Sequence, residues 1–166
     1  MARLTVLEYP DPRLRKVAQP VTAFDAALSQ QIEDLFETLY ASKAIGLAAT
    51  QVDLHRRILV MDVSADQSAP QLFINPEILA RDAMAMVEES CLSLPGICES
   101  VPRATRVTVR TLDREGRPSE RELHDLEAVC LQHEMDHLEG RLFADHLSFF
   151  KRLRVWRQLG ARGSVN

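Results

Sequence analysis

Apolar residues recur at helical spacing along "AFDAALSQQIEDLFETLYAS": Leu28, Ile32, Leu35, Phe36 and Leu39 fall on one face of a 3.6-residue period. Asp25 stands where an N-cap side chain belongs, so the pattern predicts an amphipathic helix from about Ala26 to Ser42. Ahead of it, "YPDP" at Tyr9 to Pro12 forces an irregular entry, because proline fixes its own φ and restricts its predecessor. The period then changes. "RRILVMDV", "QLFINPEIL", "AMAMVEES" and "TRVTVRTLD" are short apolar or alternating runs that predict strands. "DREG" supplies a turn before "RPSERELHD", which alternates as an exposed strand does. From about Asp125 the helical period returns, with Leu126, Val129, Cys130, His133 and His137 on one face and Gly140 placed to close the helix. "SFFKRLRVWRQLG" predicts a C-terminal helix that packs back over the sheet. The sum is an α+β fold, with mixed or antiparallel strands around that central helix and one further helix towards each terminus.

A chain of 166 residues fits a single domain, 1–166, and can bury a core without disulfides. Its hydrophobic share of 46% and charged share of 27% are ordinary for a globular protein. The formal net charge of −4 argues against a broad footprint for DNA or anionic lipid. Cys91, Cys98 and Cys130 form an odd set with no framework spacing, which fits a reducing compartment better than a disulfide scaffold. The N-terminal stretch holds no run long enough for a signal peptide or a membrane span, so the expectation is a cytoplasmic protein.

Chemistry enters at "LQHEMDHLEG", Leu131 to Gly140. Positions four apart on a helix share a face, so His133 and His137 can reach one metal ion, while Glu134 sits where it can take a proton from water. The bland alternative is a charged surface helix that happens to carry histidine. A catalytic site needs a third protein ligand and an open position. Cys91, in "VEESCLSLPG" between a predicted strand and a proline turn, is the best candidate, and a thiolate with two imidazoles suits zinc, ferrous iron or cobalt. Cys98 and Cys130 are competing thiols, although Cys130, one turn before His133, is better placed to line a pocket. Free cysteine is also often just a small buried hydrophobe. A third stretch, "AIGLAATQV", has almost no side chain at Gly46, Ala48 and Ala49 and ends in Gln51, whose neutral amide can donate to an oxyanion.

The stretches "GLAATQ" (Gly46 to Gln51), "ESCLS" (Glu89 to Ser93) and "QHEMDHLEG" (Gln132 to Gly140), in this order, resemble the motifs of the peptide deformylase family. "DPRLRKVAQPV", "LFETLYASKAIG" and "INPEIL" also look like members, so the resemblance leaves out only the last dozen or so residues. It implies that Cys91, His133 and His137 are metal ligands, which would make the central helix the metal-binding one. Glu134 would be the general base and later the acid. Gln51 and the backbone N–H of Leu92 would hold the oxyanion. Ile45, Val87, Leu126, Val129, Cys130 and His133 would receive the methionine side chain of the substrate, and the peptide would bind as an extended strand around Ile45–Gly46. The reaction implied is hydrolysis of N-formylmethionyl nascent peptides to formate, with the ribosome near its exit tunnel as a further partner. The ion implied is Fe²⁺, with Zn²⁺, Ni²⁺ or Co²⁺ as occupants of purified protein.

Two positions depart from the family pattern. Ser90 and Ala44 stand where glycine is usual, and a positive φ at either would cost about 1 kcal/mol or more. Cys98 replaces a more familiar aromatic or basic residue. Two other readings compete: a zinc peptidase built on the same His-Glu-x-x-His helix, and an inactive metal-binding or ribosome-associated module. A structural site has four closed ligands and no use for a base such as Glu134, and zinc peptidases more often take His or Glu as third ligand.

Overall fold

The computed structural model describes residues 2–163. Helix α1 spans Ala26–Ala41, and Asp25 caps it by accepting from the Leu28 N–H at 2.9 Å, as the sequence predicts. Strand β1 is Gly46–Ala48, followed by a short 3₁₀ turn over Ala49–Val52. Strands β2 (Ile58–Met61), β3 (Gln71–Cys91), β4 (Leu94–Leu112) and β5 (Pro118–His124) complete one five-stranded sheet in the order β1-β2-β3-β4-β5. Helix α2 covers Asp125–Leu138 and α3 covers Phe149–Gly163. Every pair of neighbouring strands is antiparallel; the mixed alternative survives only as an isolated parallel bridge between Gln19 and Arg56.

Strand β2 explains how the layers assemble. Its four residues, "ILVM", are fully buried, and alternation sends Ile58 and Val60 to one face and Leu59 and Met61 to the other. Ile58 and Val60 pack with Leu28, Ile32, Leu35 and Leu39 of α1. Leu59 and Met61 pack with Phe73, Val107 and Val109 and with Ala128, Leu131 and Leu138 of α2. Each such side chain contributes roughly 1.5–3 kcal/mol by leaving water, so the sheet is clamped between two helices. A third cluster gathers Leu94, Ile97, Val101, Leu142, Phe143, Val155 and Leu159, seating α3 against β4.

"QLFINPEIL" and "AMAMVEES" read as separate strands, but they form one, β3. The polar "ARD" between them does not end the strand. It is absorbed by irregularities between Ile74 and Glu77 and between Ile78 and Ala80, and by Ala83 at φ 58°, whose carbonyl accepts from Thr105 Oγ1 at 2.7 Å. β4 likewise begins well before "TRVTVRTLD", carrying Pro95 and Pro102 within it, and ends at Leu112. Gly140, at φ +73°, closes α2 as expected, and a Cβ there would lie 2.4 Å from the Arg15 carbonyl oxygen. Neither Ala44 nor Ser90 has a positive φ; the strained residue of that region is Lys43, at φ 56°. The two departures from glycine therefore carry no backbone penalty of the kind expected.

Candidate metal centre and active site

Three elements deliver the chemistry. Cys91 is the last residue of β3, at the turn into β4, where the register slips between Ser90 and Cys91. His133 and His137 lie one turn apart on α2 and are buried. One ligand atom from each of Cys91, His133 and His137 lies within 4.8 Å of the others, the group of this kind found among the described residues. Cys91 Sγ is 3.3 Å from His137 Nε2. The competing thiols separate cleanly: Cys98 is exposed and donates to Glu88 at 2.8 Å, while Cys130 is buried and its Sγ contacts the Ile45 carbonyl at 3.8 Å.

The sequence gives Glu89 no role beyond its place in a motif, yet its carboxylate organises the histidine side. His133 Nδ1 sits 2.7 Å from Glu89 Oε1, and Arg103 grips the same carboxylate at 2.6 and 2.9 Å. Arg103 also donates to Asp136 at 2.8 Å. Burial opposes the Glu89 charge, but His133 and Arg103 more than compensate, holding the carboxyl below its usual range. An ionised carboxylate can only accept, so His133 Nδ1 carries a proton toward Glu89 and Nε2 is the nitrogen left facing the site. No sequence spacing joins residues 89, 103 and 136; only the β3–β4 pairing brings them together.

Burial opposes a charge on Cys91 as well. The facing imidazoles of His137 and His133 outweigh it and bring the thiol well below its ordinary value. Glu134 behaves in the opposite sense: burial pushes its carboxyl up, offset in part by His133 and His137. Its Oε2 and the Nδ1 of His137 are buried with no partner within the protein. A soft-to-borderline Cys-His-His donor set, one histidine fixed by a carboxylate, and an unpartnered buried carboxylate oxygen beside it all fit a divalent transition-metal ion.

Gln51 is buried in the 3₁₀ turn after β1. Its Oε1 accepts from the Ala48 N–H at 2.9 Å, which fixes the amide so that Nε2 points to Ser93 Oγ at 3.1 Å and Cys91 Sγ at 3.6 Å. Gly46, opposite, lies so close to α2 that a Cβ would stand 2.6 Å from Cys130 Sγ and 3.0 Å from Glu134 Oε1. These groups open into one cavity of about 870 Å³. Its walls include Ile45, Gly46, Gln51, Val87, Leu92, Leu126, Val129, Cys130, His133 and Glu134, so every residue expected around the substrate lines one space. Ile45 and Leu126, 42% and 49% exposed, form its outer lip.

The antiparallel sheet clamped on a His-Glu-x-x-His helix, with a thiol and an amide facing it, defines the class: a hydrolase site built for a metal ion. Comparison with known proteins agrees. The family model for polypeptide deformylase matches residues 3–153. A peptide deformylase of Chromobacterium violaceum is 53% identical over 166 residues, covering 100% of this chain and 99% of the relative. Another, of Pseudomonas aeruginosa, is 53% identical over 161 residues, 96% of this chain and 95% of the relative. Among solved structures, a peptide deformylase from Legionella pneumophila superposes with a TM-score of 0.92 at 43% identity, covering 98% of this chain and 96% of that one. One from Ehrlichia chaffeensis, in complex with actinonin, gives 0.93 at 34% identity, covering 99% of this chain and 100% of that one. The chain belongs to the polypeptide deformylase family.

Proposed function

We propose that this chain removes the formyl group from the initiator methionine of newly made polypeptides, releasing formate and a free amino terminus. The observation that carries the reading is convergence: Cys91 and His133, the Glu134 carboxylate and the Gln51 amide face one apolar cavity, and His137 completes the ligand group with the first two. All of 1–166 would act as one catalytic domain.

Cys91, His133 and His137 would hold a divalent ion. When bound, the ion supplies Lewis acidity that polarises a carbonyl and brings the pKa of water to about 7. Glu134 Oε2, unpartnered and raised by burial, accepts the proton of the attacking water and later returns it to the leaving amine. Gln51 Nε2 and the Leu92 N–H donate to the oxygen that gains charge as the carbonyl becomes tetrahedral. The Nε2 contact to Cys91 Sγ is long, so a developing oxyanion outcompetes it. One such donor is worth roughly 2.7–4 kcal/mol. Ile45, Gly46, Val87, Leu126, Val129, Cys130 and the His133 ring surround the methionine side chain, and the peptide runs extended along Ile45–Gly46. Fe²⁺ is the proposed native ion, and Zn²⁺, Ni²⁺ or Co²⁺ suit the same donors. No helix among the described residues is long and apolar enough to cross a membrane. The proposed setting is the cytoplasm, on N-formylmethionyl nascent chains, with the ribosome near its exit tunnel as partner and no DNA contact.

The test is formate release from a formyl-Met tripeptide by protein purified without oxygen, beside the acetyl-Met analogue and an internal-peptide substrate. Selective hydrolysis of the formyl peptide is expected. Cleavage of the internal peptide bond instead would establish the zinc-peptidase reading.

A further inference from the structure

The segment Leu7–Tyr9 belongs to no helix or strand, yet it ties together the two turns that carry Gln51 and Cys91. The Leu7 N–H donates to the Gln51 carbonyl at 2.7 Å, and the Tyr9 N–H donates to the Ser93 carbonyl at 2.9 Å. Within the site, the same two turns meet only through side chains: Gln51 Nε2 to Ser93 Oγ at 3.1 Å and to Cys91 Sγ at 3.6 Å. The strap therefore sets the spacing between an amide and a thiol that must be placed to a fraction of an ångström.

The seat of the strap is α3. The Tyr9 ring stacks on Trp156 with centroids 4.5 Å apart and planes 19° from parallel. The Arg15 guanidinium lies 5.8 Å from the Trp156 ring and is itself held by Asp145, at 2.5 and 3.2 Å, and by the Gly140 carbonyl at 3.3 Å. Cys91, Tyr9 and Trp156 all pack on the one apolar cluster built around Leu94, Phe143, Val155 and Leu159. Phe143 of that cluster also stacks on the His133 ring, with centroids 5.8 Å apart. A helix that only covered the sheet would have no reason to meet the site by two routes.

We infer that Trp156 is a positioning residue: by stacking on Tyr9 it fixes the Leu7–Tyr9 strap, and through it the relative placement of Gln51 and Cys91. The inference rests on the roles proposed above for those two residues. It assigns α3 a part in the chemistry although none of its described side chains lines the cavity.

The test uses the full chain with Trp156→Ala, Trp156→Phe and Tyr9→Leu, the last keeping both backbone bonds but removing the stack. Two readouts are taken: kcat and KM on the formyl peptide, and cobalt(II) affinity from the thiolate absorption band of the metal-titrated protein. Trp156→Ala and Tyr9→Leu should lower kcat about tenfold with KM within about twofold. Cobalt should bind about fivefold more weakly. Trp156→Phe should restore both. Parent-like kcat and cobalt affinity in Tyr9→Leu, or in a folded Trp156→Ala, would make the helix a cover and overturn the inference. If the parent releases no formate, the functional reading fails, and the cobalt series still decides this one.

Discussion

His133 Nδ1 lies 2.7 Å from Glu89 Oε1, and that contact decides which nitrogen of the ring is left for Cys91 and the metal position. The carboxylate is in turn held by Arg103, which is buried at 3% exposure and reaches Asp136 on its other side. His146 ends the series, its Nε2 donating to Asp136 Oδ2 at 2.7 Å near the surface. The metal-facing orientation of one histidine is therefore determined from behind, by a run of alternating charges that crosses β3, β4 and α2.

Removing Glu89 should weaken metal binding without touching a ligand. In Glu89→Ala, affinity for cobalt or zinc should fall about 10- to 100-fold, the usual cost of losing a carboxylate behind a ligating histidine. Stability should fall by about 3–5 kcal/mol, because Arg103 keeps its charge in the interior with one partner fewer. Metal titration and urea unfolding of the same preparations check both. Undiminished affinity would mean that His133 is oriented by its packing on Phe143 alone.

Glu134→Ala should separate binding from turnover. Glu134 is the one buried carboxylate at the site with an unpartnered oxygen, and it is not among the clustered ligands. Metal content should stay at that of the parent while formate release falls about 10²- to 10⁴-fold. Loss of the ion together with activity would show a structural role for Glu134.

The three cysteines should respond differently to serine. Cys91→Ser should strip or greatly weaken the metal, since a hydroxyl is a far poorer ligand than a thiolate. Cys98→Ser and Cys130→Ser should leave metal stoichiometry unchanged, because neither sulfur belongs to the clustered group. An empty site in Cys98→Ser would move the ligand assignment.

Gly46 is a steric requirement, not a conformational one. The methyl of Gly46→Ala would meet Cys130 Sγ at 2.6 Å and Glu134 Oε1 at 3.0 Å. Relief needs β1 or the Glu134 side chain to shift, with overpacking of about 1–3 kcal/mol and a fall in kcat of about tenfold or more. Cys130→Ala in the same chain removes the closer clash and should recover part of both losses. Additive losses in the double variant would place the damage elsewhere.

How much of this was legible follows from range. The helix caps at Asp25 and Gly140, the i, i+4 histidines and the two strand runs around "DREG" are local patterns, and each reads from a few adjacent residues. The continuity of β3 was not legible, because bulges tolerate the polar break that a period-2 reading takes as an end. Glu89, Arg103 and Asp136 were invisible as a unit, for they are 14 and 33 residues apart and share no motif. Cys91 was preferred to Cys98 from its place between a predicted strand and a proline turn, and the motif resemblance added to that preference. The penalties expected at Ala44 and Ser90 did not arise: the positive φ falls on Lys43 beside Ala44, and Ser90 lies within the paired strand β3. The strap from Leu7 to Tyr9 had no sequence signal at all: backbone bonds to Gln51 and Ser93 ask nothing of side chains.

The end of α1 is tied to the segment after β2 by Tyr40 Oη donating to Asp62 Oδ2 at 2.8 Å. Burial, then the bond to the Asp62 carboxylate, pushes the Tyr40 phenol from 10.0 up to about 12. The sign follows from linkage. A folded pKa above the unfolded one means that the folded state holds the proton more tightly, so the contribution is complete below pH 10 and is lost as pH rises towards about 12. Asp62 works at the other end: burial opposes its charge, but Ser64, Tyr40 and the Ala69 N–H hold it below 3.8, so its contribution is complete above that value and fades on acidification. The stability difference between parent and Tyr40→Phe should therefore be flat from neutral pH to about 10 and shrink from 10 to 12. Urea midpoints of both proteins at half-unit pH steps measure it. A difference that stays constant to pH 12 would mean that the phenol titrates alike in both states, and that the bond to Asp62 holds nothing in place.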